Sequence, residues 1–146
     1  MNVYEATIGD LEGIAELFNL YRMFYQQPSD PQGARDFLLE RFIHKDSVIF
    51  AAVENGEYIG FTQLYPVYSS VSMKKDYILN DLYVHETARK SGAGRNLLEA
   101  ASGYAKKTGA KGLSLQTAHD NLSAQSLYEK FGFLKEEQFI SYYYTL

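Results

Sequence analysis

From Leu11 onward the apolar residues Leu11, Ile14, Leu17, Phe18, Tyr21 and Tyr25 return every three or four positions, which is the period of one face of an α-helix. The spacing predicts an amphipathic helix that ends near Gln26-Gln27-Pro28, with a short first strand, Val3 to Thr7, ahead of it. Asp30-Pro31 then supplies a capping residue and a proline at the first helical position, and Ala34, Phe37, Leu38 and Phe42 carry a second helix to about Lys45. Two helices thus precede the sheet.

The pattern changes at Ser47. Ser47 to Glu54 is rich in β-formers, Asn55-Gly56 is a strong two-residue hairpin signal, and the strand from Glu57 to about Tyr68 must return beside the first. Asp76 to Val84 reads as another strand, with Ile78, Asp81 or Leu82, and Val84 near its working end. Leu79 and Leu82 are separated by two polar residues, Asn80 and Asp81, so the alternation breaks. We read a buried central strand with a local bulge, a device that re-aims side chains beside active sites.

Arg89-Lys90-Ser91-Gly92-Ala93-Gly94-Arg95 follows and leads into a helix from Asn96 to Lys107, with two lysines at its end and Gly109 just beyond. Gly112 to Thr117 is expected as a strand with Leu113 and Leu115 on one face, Asn121 to Phe131 as a helix ending at Gly132, and Phe133 to Leu146 as further strand. Strands and helices alternate only in this second half. The expectation is a mixed α/β (α+β) chain whose sheet is antiparallel at first and parallel around the glycine-rich turn. No repeat or linker divides residues 1–146, which read as a single domain.

Composition narrows the picture further. At 146 residues, 46% hydrophobic and 22% charged, the chain has the size and balance of one globular domain, which excludes disordered and fibrous classes. A net charge of −4 disfavours a nucleic-acid partner, and the absence of Cys removes thiolate nucleophiles and Cys-based zinc sites. His44, His85 and His119 show no metal-ligand spacing and read as surface or capping residues, so no metal is expected. No long apolar run and no signal-like N-terminus is seen, so the expectation is a cytoplasmic protein with no membrane contact. The excess is aromatic: 13 Tyr and 9 Phe, with no Trp. Tyrosine joins an apolar body to a polar tip and suits a core that opens into a cleft or an interface.

The glycine-rich turn carries the first candidate chemistry. Gly92 and Gly94 let the backbone approach a ligand, the N–H groups that open the following helix form an anion site, and Arg89, Lys90 and Arg95 add positive charge. A dinucleotide fingerprint would need a third glycine that the segment Gly92 to Leu97 lacks, and the nucleoside triphosphate loop G-x-x-x-x-G-K-[ST] is absent. No G-x-S-x-G elbow is present to support a serine hydrolase.

Arg89-Lys90-Ser91-Gly92-Ala93-Gly94, preceded by the hydrophobic strand Asp81-Leu82-Tyr83-Val84, resembles the [RQ]-x-x-G-x-[GA] acetyl-coenzyme A motif of the Gcn5-related N-acetyltransferase (GNAT) superfamily. Asn121 to Phe133 resembles the same family's N-x-x-A-x-x-L-Y-x-x-x-G-F segment. Within the superfamily, Asn80 to Val84 and Leu20 to Tyr25 look most like the small histone and polyamine acetyltransferases and their bacterial relatives. One departure is His85-Glu86-Thr87, where many members carry a proline after the strand.

The resemblance implies a GNAT fold: a central mixed, mostly antiparallel sheet flanked by about four helices, with a splayed parallel strand pair at the acetyl-CoA site. It implies transfer of an acetyl group from acetyl-CoA to a primary amine by direct attack in a ternary complex. A non-catalytic coenzyme A-binding module of the same fold is the alternative. By resemblance, the N–H groups of Lys90, Ser91, Gly92, Ala93, Gly94 and Arg95 hold the pyrophosphate, with Arg89 opening the motif. Leu82, Tyr83 and Val84 line the pantetheine arm, and Asn121 hydrogen-bonds it or simply caps its helix.

Tyr128 is the expected general acid for the leaving thiolate. Asp81 is the first choice for a base near the substrate amine, the other reading being a structural partner of a backbone N–H, while Glu86 and Asp120 read as solvated loop acids. In the resembling polyamine enzymes the end of the first helix borders the substrate mouth, which implies Tyr25 as an amine contact and leaves Tyr21 to the core. Polyamine, small amine and protein lysine all remain open as substrates. The apolar tail Phe139 to Leu146 is expected to be paired or covered, at a homodimer interface as in similar enzymes.

Overall fold

The computed structural model describes all residues 1–146, which fall into two compact units, 1–116 and 117–146. In the first unit five strands form one sheet in the order β1-β2-β3-β4-β5: β1 Asn2–Glu5, β2 Val48–Glu54, β3 Glu57–Ser69, β4 Lys74–Val84 and β5 Leu113–Ser114. The first four run antiparallel to their neighbours, and only β4 and β5 are parallel. The sheet is therefore mixed and mostly antiparallel, as the element order predicted.

Local chemistry explains most boundaries. Helix α1, Leu11–Phe24, lays Leu11, Ile14, Leu17 and Phe18 into the core, the stripe seen in the sequence. Helix α2, Pro31–His44, begins at the expected cap, where the Asp30 carboxylate accepts the Gly33 N–H at 3.0 Å. Asn55 and Gly56 both have positive φ, 52° and 78°, as a two-residue hairpin of this hand requires. With Ile49, Ala51 and Phe61 of the sheet, α1 and α2 enclose one core. Helix α3, Ala93–Lys107, covers the opposite face: Tyr104 packs edge-on against Phe50 of β2 and Tyr77 of β4, both with centroids 5.8 Å away.

Three expectations need correction. Helix α3 begins at Ala93, not Asn96, because Gly92 takes a left-handed φ of 92° as its cap and turns the chain into the helix three residues earlier. The strand expected over Gly112 to Thr117 shrinks to Leu113–Ser114, since β5 pairs only with Tyr77 and Ile78. No strand forms over Phe133 to Leu146. Within one chain that tail is neither paired nor covered: Tyr142, Tyr143 and Tyr144 are exposed, so apolar composition there had no local partner to fold against. In the second unit, helix α4, Leu122–Phe131, ends at Gly132 with φ 123°, as expected. No helix is long and apolar enough to cross a membrane.

Candidate functional site

The expected irregularity in β4 is present, and it determines which way Asp81 points. Gln63 pairs with Asp81 but its neighbour Leu64 pairs with Leu79, so Asn80 is an extra residue that the β3 ladder skips. Side chains alternate along a strand, and one unpaired residue shifts that alternation. Below the bulge Tyr77 faces α3; above it Tyr83 joins the core on the α1 side, 6.2 Å from the Tyr21 ring. The bulge thereby brings Asp81 to the α1 face, beside Gln63.

Asp81 is 5% exposed and well supported. The Gln63 side-chain amide donates to one carboxyl oxygen at 2.6 Å and Asn80 to the other at 3.1 Å. Ser47 donates to the Gln63 carbonyl oxygen at 2.8 Å, which orients the amide so that its NH2 meets the acid. Burial pushes the Asp81 carboxyl above the ordinary carboxylate range, although hydrogen bonds from Gln63, Tyr21 and Asn80 oppose the shift. The acid is thus poised to take up a proton.

It opens into a cavity of about 350 Å³ between α1, α2 and the bulged region of β3 and β4. Phe18, Tyr21, Phe37 and Tyr65 give it aromatic walls, and Arg22 and Asp30 are its other charged groups. Tyr21 is wedged between Phe61 and Tyr83, at 5.8 and 6.2 Å, and donates its hydroxyl to the Asn80 carbonyl at 3.3 Å. Burial and the Asp81 charge push the Tyr65 hydroxyl up to about 12, so it remains a hydrogen-bond donor at neutral pH. Tyr25, expected at the substrate, stands outside the lining and packs edge-on behind Tyr21 at 5.1 Å. Tyr21 packs against the core as expected and also reaches the acid.

On the other side of β4 lies a second feature. Beyond Ile78, β5 no longer accompanies β4, so the strand's outer edge is open over its last residues. The His85 N–H is donated inward to Ile59 at 2.8 Å. By alternation Tyr83 also turns its backbone groups to β3, and Leu82 and Val84 turn theirs to the open edge. That is the geometry an extended ligand chain needs to pair as an added strand.

The turn into α3 adjoins that edge. Gly92 at φ 92° has nothing within 4 Å of the place a Cβ would occupy, and the Gly94 N–H lies in the first turn, ahead of the helical ladder in which Asn96 donates to Gly92. Ala93 is covered by the Ser91 hydroxyl at 3.4 Å, and that hydroxyl itself donates to the Ala88 carbonyl. Lys90 also has a positive φ, 64°, so the backbone is left-handed on both sides of Ser91. Arg95 pairs with Glu99 at 3.2 Å. Arg89 turns away: its Nε donates to the Val84 carbonyl at 3.1 Å, and its guanidinium covers the Phe24 and Tyr83 rings at 5.9 and 5.8 Å. His85 serves as a cap, accepting the Thr87 N–H at 3.2 Å.

In the second unit Asn121 caps α4, its side chain accepting the Ala124 N–H at 3.2 Å. Tyr128 packs edge-on against Phe133 with centroids 5.8 Å apart, and its carbonyl accepts N–H groups from Gly132 and Phe133.

Sequence reasoning missed Gln63, Ser47 and Arg22. A signal existed for two of them. Gln63 shares its parity with Phe61 and Tyr65 in an otherwise apolar strand, and Arg22 lies one helical turn after the core residue Phe18. Ser47 carries no such mark.

Comparison with known proteins gives consistent matches. The family model described as "Acetyltransferase (GNAT) family" matches residues 14–133. The chain is 56% identical over 142 residues, 97% of its length and 95% of the other protein, to "Uncharacterized N-acetyltransferase YhfO" of Bacillus subtilis (strain 168). It is 31% identical over 128 residues, 85% of its length and 79% of the other, to the "D-amino-acid N-acetyltransferase HPA3" of Saccharomyces cerevisiae. A crystal structure described as that of a probable acetyltransferase superposes with a TM-score of 0.94 at 40% identity, covering 100% of this chain and 98% of that one.

Proposed function

Because the chain belongs to the acetyltransferase (GNAT) family and is an N-acetyltransferase, a family that uses acetyl-CoA as co-substrate, we propose that residues 1–146 act as one domain that acetylates a primary amine by direct attack in a ternary complex. The observation that carries this reading is Asp81: a buried carboxyl, raised above its ordinary range, aimed into a cavity from the strand whose opposite edge is open.

The residues present suit both reactants. Leu82 and Val84 offer backbone groups to the pantetheine arm, and the glycine turn from Lys90 to Arg95 offers N–H groups and a helix N-terminus to the pyrophosphate. Arg89 holds this end of β4 through Val84 rather than reaching outward. An amine of ordinary pKa, about 10, arrives protonated at neutral pH. Asp81 takes that proton, the free nitrogen forms a bond to the thioester carbonyl carbon, and the C–S bond breaks as the adduct collapses. Tyr128, by its place in the segment from Asn121 to Phe133, gives its proton to the departing sulfur and regains one, through solvent, from the protonated nitrogen of the adduct as the neutral amide forms. Asn121 supports the pantetheine from the same segment. The acceptor class is a polyamine or other small amine, or a protein lysine.

The test is to incubate the protein with acetyl-CoA and a panel of polyamines, amino acids and peptides, and to follow free thiol. Amine-dependent release is expected, and none with any amine would overturn the reading. Tyr128→Phe is expected to lower kcat about 100-fold while leaving coenzyme affinity within twofold; an unaltered kcat removes Tyr128 from the reaction. The exposed tail from Phe139 to Leu146 further supports a homodimer that covers it, which light scattering checks by mass.

A further inference from the structure

The acceptor cavity carries charges of both signs. Asp81 and Asp30 both line it, Asp30 spending one carboxyl oxygen on the Gly33 N–H, so the cavity can receive an ammonium. Opposite in sign, Arg22 lines the same cavity. It takes part in no ion pair and no cation–π contact, and its one hydrogen bond is from Nη1 to the Pro28 carbonyl at 3.3 Å. A guanidinium has five N–H donors in a planar fork that matches a carboxylate, so most of its capacity is uncommitted. The main chain around it is fixed, since the Arg22 carbonyl accepts N–H groups from Tyr25 and Gln27.

Resting on the transferase reading above, we propose that the acceptor is a free amino acid, whose carboxylate is bound by Arg22 while its amine faces Asp81. The remaining walls, Phe18, Tyr21, Phe37 and Tyr65, receive an apolar or aromatic side chain, and about 350 Å³ accommodates it. The Tyr65 hydroxyl, held protonated, is a second donor for the carboxylate. A polyamine would instead place positive charge against Arg22, which is repulsive in a partly desolvated site. Arg22 is then a specificity-determining residue, one that binds substrate without touching the reacting atoms.

The experiment compares three acceptors of one shape, phenylalanine, phenylalaninamide and phenethylamine, with spermidine as the polycation. Each is tried in both enantiomers where it has them, and kcat and KM are measured separately by thiol release. Phenylalanine is expected to exceed the two analogues that lack a carboxylate by about 100-fold in kcat/KM, through KM. Arg22→Gln is expected to erase that preference by raising KM for phenylalanine alone, and Arg22→Lys to restore part of it. An equal or better kcat/KM for phenethylamine or spermidine overturns the proposal while leaving the transferase reading intact, as does an Arg22→Gln loss shared equally by all acceptors. If no amine of any kind releases thiol, both fall together.

Discussion

Asp10 and Asp81 are chemically the same residue placed in two regions with opposite outcomes. Asp10 sits at the corner where β1 leads into α1; it receives the Tyr4 and Tyr58 hydroxyls, each at 2.7 Å, and the Thr7 N–H at 2.9 Å. Burial alone would raise it, but these three donors outweigh burial and hold its carboxyl below the ordinary range. At Asp81 burial wins over donors from Gln63, Tyr21 and Asn80. At the corner acid three donors outweigh a shallower burial, and it joins two tyrosines to a helix entry. The cavity acid has as many donors but is more deeply buried, and that burial raises it. Donors relative to burial, rather than residue type, set the direction in which each aspartate is shifted.

The contrast is broken most directly by Asp81→Asn. Turnover is expected to fall about 1,000-fold, with loss of the acid limb of the pH–rate profile. The melting temperature at pH 8 should hold or rise, because a buried charge is removed. A fall in kcat below tenfold would return Asp81 to a structural role. At the corner, Asp10→Ala leaves two tyrosine hydroxyls and one N–H without their acceptor and is expected to cost about 2–3 kcal/mol in denaturant unfolding, with kcat of the folded fraction retained. Equal loss of activity and stability would erase the distinction between the two sites.

The acids also bend stability with pH in opposite senses. The raised folded value of Asp81 means that the native state holds this proton more tightly than the unfolded chain does. Its contribution is full below the ordinary carboxylate value of about 4 and is lost as pH rises through the folded value. Asp10, held low, contributes fully above about 4 and loses that contribution as pH falls through its folded value. Unfolding measured between pH 3 and pH 8 should therefore show Asp81→Asn and Asp10→Asn flattening opposite slopes. The smallest effect is reserved for Gln63→Leu: removing the donor that lowers Asp81 should move the acid limb of kcat to higher pH and cut kcat about tenfold at pH 7. An unmoved limb would show that Gln63 only fills space.

Much of this was legible in advance, and the failures have physical causes. The helix stripe from Leu11 to Tyr21, the Asp30-Pro31 start, the Asn55-Gly56 hairpin and the interruption at Asn80 and Asp81 are local signals, and each appears in place. Tyr21 packs against the core as expected, but that it and not Tyr25 also lines the cavity was not legible, because periodicity shows that both lie on one helix face and not how far along it the cavity opens. Ser47 and Gln63 are 16 residues apart and meet only through the pairing of β2 with β3, so their relay to Asp81 was out of reach of any local pattern. The run from Phe139 to Leu146 has strand composition without a neighbour, and composition by itself does not supply one.

Asn80 gives the cavity something a side chain does not. Its carbonyl, released from the ladder by the bulge, receives the Tyr21 hydroxyl beside Asp81. Exchange of the Asn80 side chain would leave that acceptor in place, since every amino acid brings the same carbonyl. Losing the residue outright would remove it while leaving the pairings on either side able to close up. In heritable terms, this part of the pocket is buffered against point substitution and exposed to a change of length, so among descendants of the chain a one-codon deletion here would alter the site more deeply than most replacements of its lining.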